Sequence, residues 1–263
     1  MTLAQIKLRP STRHRPTKVW SSDELADLWE LAEQLQGRSL PGVRLTESEF
    51  AAEYGDEDIK AEWVDGEVIL VAPASGEHSE LNFWLMRLVA EFVERQDLGL
   101  VRGPEFPIRL ASIRRVRSPD LMFVNTARFS KLRPTYLEGP PDLIMEIVSP
   151  DSEARDWRDK YGDYQSTGVR EYWVVDPLSK RLDAYTLGRS KQYSLIQPDD
   201  EGRIHSKVLK GLFVNPQWLW RSPLPKLNGV LKELKLRWSP GMSEVFAGLV
   251  PPLSNPAEGS RRS

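Results

Sequence analysis

The sequence predicts an α/β domain with a mixed central β-sheet flanked by helices and antiparallel hairpins added to it. Three observations lead there. Asp65-Gly66 between two β-rich runs is a strong hairpin signal. The run Leu143, Ile144, Met145, Glu146, Ile147, Val148 reads as a buried strand that Pro150 ends. A helical pattern follows it and then another apolar strand, EYWVVDP, so strands and helices alternate along the chain.

The elements follow in order. Residues 1–20 are polar and basic, with Arg9, Arg13, Arg15 and Lys18 between prolines, and read as an arm without structure of its own or a phosphate-seeking tail. Ser22 caps a helix to Gln36 with Leu25, Leu28, Trp29, Ala32 and Leu35 on its apolar face, and Gly37 ends it. Thr46 and Glu49 have capping-box spacing for a short helix to Tyr54. After the hairpin, Pro73 to Gly76 is a loop. A long helix then runs over 77–96, with Leu81, Trp84, Leu85, Leu88, Phe92 and Val93 on one face.

LVRGPEFPIRL reads as one strand interrupted at Pro104 and Pro107. RSPDLMFVN is a strand with Asp120, Met122 and Val124 on one face, and a loop covers 126–141. The helix after the Glu146 strand spans 153–167, with Trp157, Tyr161 and Tyr164 as its apolar stripe, and Gly168 ends it. RLDAYTL and KQYSLIQ extend the sheet, residues 199–202 form a turn, and VLKGLFV is the last strand. SPLPKL is a linker, VLKELKLRW a short amphipathic basic helix, and the final residues a disordered tail. The divisions are therefore 1–44, a basic arm and amphipathic helix; 45–220, the main domain; and 221–263, linker, helix and tail.

Composition narrows the chemistry. In 263 residues there is no cysteine, so disulfides and thiolate metal sites are impossible and a reducing cytoplasm is the expected location. With only His14, His78 and His205, any metal would be held by carboxylates, which suits magnesium or manganese. No apolar run approaches ~18 residues, so no membrane span is expected, and the N-terminus lacks the apolar core of a secretory signal. The net charge of −2 advertises no global basic field, although a local basic groove can coexist with it.

Four positions are acid–base candidates. Glu146 sits inside an apolar strand, where a carboxylate is costly unless paired or metal-bound. Lys160 falls on the aromatic stripe of the next helix, three after Trp157 and four before Tyr164. Asp120 begins the LMFV strand, and His78 begins the long helix. Each has a structural alternative: a buried ion pair for Glu146, an i, i+4 pair with Asp156 for Lys160, a turn Asp, and a capping His.

Asp120, a strand Glu146 and an inward Lys160, in that order, resemble the PD-(D/E)XK nuclease superfamily. Strict members carry the lysine two residues after the glutamate, where this chain has Val148, so Lys160 has moved to the following helix. LTESEF, EWVDGEVILVAP, a His-led helix, SPDLMFV, GPPDLIMEIVSPDS and DKYGDYQSTGVREYWVVDP are similar, over residues 45–190, to the Uma-type restriction-endonuclease family. That resemblance implies a restriction-endonuclease-like core. It implies that Asp120, Glu146 and the strand carbonyl of Ile147 hold a divalent cation, magnesium or alternatively manganese, and that Lys160 assists hydrolysis. Glu67 and His78 match recurrent polar positions of the family.

The expected function is divalent-metal-dependent hydrolysis of DNA phosphodiester bonds by a bacterial, cytoplasmic endonuclease. Arg109, Arg114, Arg115 and Arg117, with Arg128, Lys131 and Arg133, flank the Asp120 strand as candidate phosphate contacts. A homodimer would place two sites for cutting both strands, and the Trp29 helix and VLKELKL are segments for self-association. The alternative is a catalytically silent nucleic-acid-binding or accessory protein that keeps the nuclease fold. A third is a self-associating structural module.

Overall fold

The structure, a computed structural model, describes residues 22–35, 38–54, 60–72, 74–149 and 155–235. The basic arm, Gly37, the Leu25, Asp156 and Trp157 side chains and the C-terminal tail lie outside the described residues. In chain order the elements are α1 (Ser22–Leu35), β1 (Ser39–Arg44), α2 (Glu47–Tyr54), β2 (Ala61–Val64), β3 (Glu67–Leu70), α3 (Gly76–Arg95) and β4 (Gly99–Arg102). Next come β5 (Ile108–Leu110), β6 (Arg115–Arg117), β7 (Leu121–Asn125), β8 (Leu137–Glu138), β9 (Leu143–Ile147), α4 (Arg155–Thr167) and β10 (Glu171–Asp176). The chain continues through β11 (Arg181–Leu187), β12 (Tyr193–Leu195), β13 (Ile204–His205), β14 (Phe213–Val214), α5 (Pro216–Leu219) and α6 (Leu227–Glu233).

The central sheet has the order β12-β11-β10-β9-β7-β4 and is mixed, β9 and β10 running parallel and the other neighbours antiparallel. The hairpin strands do not extend it. They form a second six-stranded sheet, β1-β3-β2-β6-β5-β8. The interrupted strand expected over LVRGPEFPIRL is thus two strands in two sheets. A turn closed by Phe106 N–H on the Gly103 carbonyl at 3.1 Å separates them, and Pro104 and Pro107 have no N–H for a ladder. Strand β1 carries a proline and a glycine, which hid it from the strand pattern, and it pairs with β3. Of VLKGLFV only Phe213 and Val214 are strand, paired with β13.

Local chemistry sets several boundaries. The β2–β3 turn has Asp65 at φ 50° and Gly66 at φ 95°, the two positive dihedrals of a type I′ hairpin. At the start of α2, Thr46 N–H donates to Glu49 Oε2 at 2.7 Å and Glu49 N–H to Thr46 Oγ1 at 3.3 Å, the reciprocal bonds of a capping box. Ser75 caps α3 by accepting from His78 N–H at 3.2 Å, which fixes His78 in the first turn of that helix.

Alternation along the central strands divides the core. Leu121, Phe123, Leu143, Met145, Ile147, Trp173 and Val175 meet the buried face of α3, where α5 and α6 add Trp218, Leu219, Val230 and Leu231. Met122, Val124, Ile144, Tyr172 and Val174 face the other way, onto Tyr164 of α4 and Ile108, Leu110 and Leu137 of the second sheet. A third cluster, with Leu28, Ala32, Phe50, Trp63 and Val68, packs α1 and α2 on the outer face of that sheet. Asp120 and Glu146 have the parity of the second set. The candidate side chains therefore lie where central sheet, second sheet and α4 meet.

Candidate functional site

Strands β7 and β9 are antiparallel with Leu121 opposite Met145, so one further step sets Asp120 against Glu146 at one end of the sheet. Both carboxylates are buried. Asp120 Oδ2 accepts from Ile147 N–H at 2.9 Å and lies 3.3 Å from His78 Nε2, and Oδ1 lies 3.5 Å from Lys60 Nζ. The same His78 nitrogen is 3.2 Å from the Ile147 carbonyl. Two oxygen acceptors thus face one ring nitrogen, which makes it the protonated one. Its Nδ1 is buried without a partner.

Glu146 Oε1 accepts from Tyr164 O–H at 2.7 Å and Oε2 from Lys160 Nζ at 3.3 Å. The helical stripe read from the sequence accounts for both contacts, since Lys160 and Tyr164 are one turn apart on α4. Behind Tyr164, the rings of Tyr161, Tyr172, Tyr185 and Tyr193 form one aromatic cluster.

The structure adds a carboxylate that the sequence reading passed over. Glu62 on β2 is 2% exposed, and its Oε1 lies 3.7 Å from Lys160 Nζ. It accepts from Arg117 Nη1 at 2.7 Å and from Ser118 N–H at 3.2 Å. Arg117 turns its Nε and Nη2 to Asp163 Oδ2, at 3.0 and 2.7 Å. A signal was present: in KAEWV, Lys60 and Glu62 alternate with the apolar Ala61 and Trp63, so both point away from the outer core.

These surroundings separate the carboxylates electrically. Burial pushes Glu146 up to about 7, against the pull of Lys160 and with the added push of Asp120 and Glu62. Burial acts on Asp120 in the same sense, but the His78 hydrogen bond and the charge of Lys60 overcome it and hold the group well below the usual carboxylate range. Glu62 is likewise opposed by burial, yet Lys160 and Arg117 bring it down to about 2.

The candidate phosphate contacts are placed unevenly. Arg117 does not present a charge to solvent: its side chain is 3% exposed and clamped between Glu62 and Asp163. Arg114 pairs with Asp65 at 2.8 Å, and Arg115 donates to the Ile113 carbonyl at 3.0 Å. Arg109 is held by Glu47, with Glu138 at 3.5 Å. Arg128 pairs with Asp142 at 3.1 Å and Arg133 donates to the Ser130 carbonyl at 2.9 Å. Arg109, Arg128 and Lys131 line a cavity of about 250 Å³. Arg128, Lys131 and Arg133 follow the far end of β7, about 16 Å from Asp120 at ~3.3 Å per strand residue. Glu67 is not gathered with Asp120 and Glu146; it sits at the hairpin end of β3, half exposed, 2.9 Å from Arg44.

Among the described residues no three His, Asp or Glu side chains form a group that could hold a metal ion. Asp120 Oδ2 and the Ile147 carbonyl both lie against His78 Nε2, and Asp120 faces Glu146 in register, an open set of oxygens rather than a cage. All-oxygen donors fit a hard divalent cation that keeps several of its waters, as magnesium does.

Residues 48–217 match the model of the Uma2 family, described as "Putative restriction endonuclease". The chain belongs to this family. Two uncharacterized proteins of Synechocystis are similar to it. One, sll1609, is 27% identical over 156 residues, 58% of this chain and 86% of that protein. The other, slr1290, is 22% identical over 172 residues, 65% of this chain and 89% of that protein. Among solved structures, a putative nuclease belonging to DUF820 from Anabaena variabilis superposes with a TM-score of 0.53 at 16% identity, covering 61% of this chain and 89% of that one. The likeness shows a shared fold. No helix among the described residues is long and apolar enough to cross a membrane.

Proposed function

We propose that this Uma2 protein is a divalent-cation-dependent endonuclease that hydrolyses DNA phosphodiester bonds. The observation that carries the reading is the convergence of two buried carboxylates and an ammonium on one sheet end: Asp120 opposite Glu146, with Lys160 Nζ 3.3 Å from Glu146 Oε2. A buried carboxylate with a pKa near neutrality is a costly arrangement for stability alone.

Asp120, Glu146 and the Ile147 carbonyl would hold magnesium, or manganese. When bound, the cation polarises the scissile phosphate and lowers the pKa of an attacking water. Asp120 is ionised throughout the physiological range and needs no partner to become a donor. Glu146 carries its proton for part of the time near neutrality, and a bound cation would draw it into the ionised form. Lys160 supplies the positive charge that the developing phosphorane needs. Tyr164 holds Glu146 Oε1 in place and leaves Oε2 on the Lys160 side. Lys131 and Arg109 are the candidate cations for contacts to the DNA backbone away from the cut. A homodimer would bring two sites to the two strands.

Nicking of supercoiled plasmid by purified protein, with magnesium and with chelator, tests the reading. Metal-dependent nicking in the wild type that Asp120→Asn abolishes supports it. DNA binding with no nicking in either protein replaces it with the accessory-protein reading.

A further inference from the structure

We infer that Glu62 is a positioning residue for Lys160, an inference that rests on the hydrolytic role proposed for that lysine. Lys160 comes from a helix, on a flexible four-carbon stem. Something must aim its ammonium at one point beside Glu146. Two carboxylates from two different sheets do so: Glu146 of β9 at 3.3 Å and Glu62 of β2 at 3.7 Å.

Glu62 is suited to aiming. Both of its oxygens are already engaged by protein donors, Oε2 by Arg117 and Oε1 by Ser118 N–H and Lys160. Its position is imposed from behind. Trp63 pairs with Val116 across β2 and β6, so Glu62 faces Arg117 in the next register position. Arg117 in turn grips Asp163, three residues after Lys160 on the same helix. The Glu62–Arg117–Asp163 chain fixes the rotation of α4, and the remaining contact of Glu62 fixes the lysine that α4 presents. A lysine two residues after Glu146 would be directed by its own strand. Here the second sheet supplies the direction.

The test is a double-mutant cycle in single-turnover plasmid cleavage, with magnesium affinity measured by calorimetry on the same proteins. Glu62→Gln keeps the shape and removes the charge. It should slow cleavage about tenfold, the size of a coupled neighbour effect, with magnesium affinity within about twofold of wild type. In a Lys160→Ala background the same change should cost nothing further. An equal loss in both backgrounds, or a matching loss of magnesium affinity, overturns the inference. A second readout needs no cleavage: acetylation of Lys160 relative to Lys60, by peptide mass spectrometry. Glu62→Gln should raise that ratio, and an unchanged ratio also overturns the inference. If the wild type does not cut, the nuclease reading fails, while the acetylation ratio still decides whether Glu62 holds Lys160. Should Glu62→Gln not fold, Glu62→Asp, which keeps the charge and retracts it by one methylene, enters the same comparisons.

Discussion

Glu146 is the residue on which the proposed chemistry turns, and its environment gives a pH signature. Its carboxyl is raised by burial to about 7, above the 4.5 of an unburied glutamate. Between those values the folded chain holds a proton that the unfolded chain has released. The group's contribution to stability is therefore full below about 4.5 and is lost as pH rises through about 7, on the order of 3 kcal/mol by linkage. Urea unfolding of the metal-free protein at pH 5 and pH 8 should reveal this loss in wild type and not in Glu146→Gln. Equal slopes in the two proteins would remove the basis for it. Tyr164→Phe deletes the 2.7 Å donor to Glu146 Oε1, a bond that lowers the carboxyl, so magnesium binding should shift to higher pH in calorimetric titrations. Lys160→Ala also removes a charge that lowers the Glu146 carboxyl, so its magnesium binding should shift to higher pH as well; above that shift it should slow cleavage with magnesium affinity nearly kept, and an equal loss of both there would mean that the lysine acts as part of the cation site.

At the scale of elements, the sequence spoke clearly where one physical rule was enough. The Asp65-Gly66 turn, the Thr46–Glu49 cap, the α3 face and the Glu146 strand each follow from local geometry. The Glu146–Lys160 contact was legible because strand and helix are adjacent in the chain. Glu62 was not, because its meaning depends on a partner 55 positions away, Arg117, and on the lateral packing of two sheets. Arg117 was misplaced for the same reason: the sequence shows a basic run, and only β2–β6 pairing shows which arginine turns inward. Arg117→Ala would strip the buried Glu62 of its guanidinium partner, leaving Lys160 at 3.7 Å as its counter-charge, and should cost about 3 to 5 kcal/mol in denaturant unfolding, well above a surface change. Gly99→Ala should break the β4–β7 edge. An added Cβ would lie 2.1 Å from the Val124 carbonyl oxygen, so the strands must part, and a melting temperature near wild type would contradict that contact.

At the scale of the molecule, the two sheets and α4 enclose the site, while α1 and α6 close the outer layers. Leu28 and Ala32 of α1 belong to the core of the second sheet, and Val230 and Leu231 of α6 to the core beneath α3. Trp84 Nε1 donates to the Pro225 carbonyl at 2.8 Å, tying the segment before α6 to the long helix. A chain cut to residues 45–220 should therefore unfold at lower denaturant than the full chain. The fold class was legible because element order alone defines an α/β chain. The division into two sheets was not, since no local signal says which strand pairs with which.

The proposed nuclease activity rests on Asp120 and Glu146 forming a cation site. Calorimetric titration of magnesium into wild type and Glu146→Gln, with supercoiled plasmid in parallel, tests it most directly. Binding and nicking are expected in the wild type and neither in the mutant. A well-folded wild type that neither binds nor nicks, or a mutant that does both as well as wild type, would contradict it.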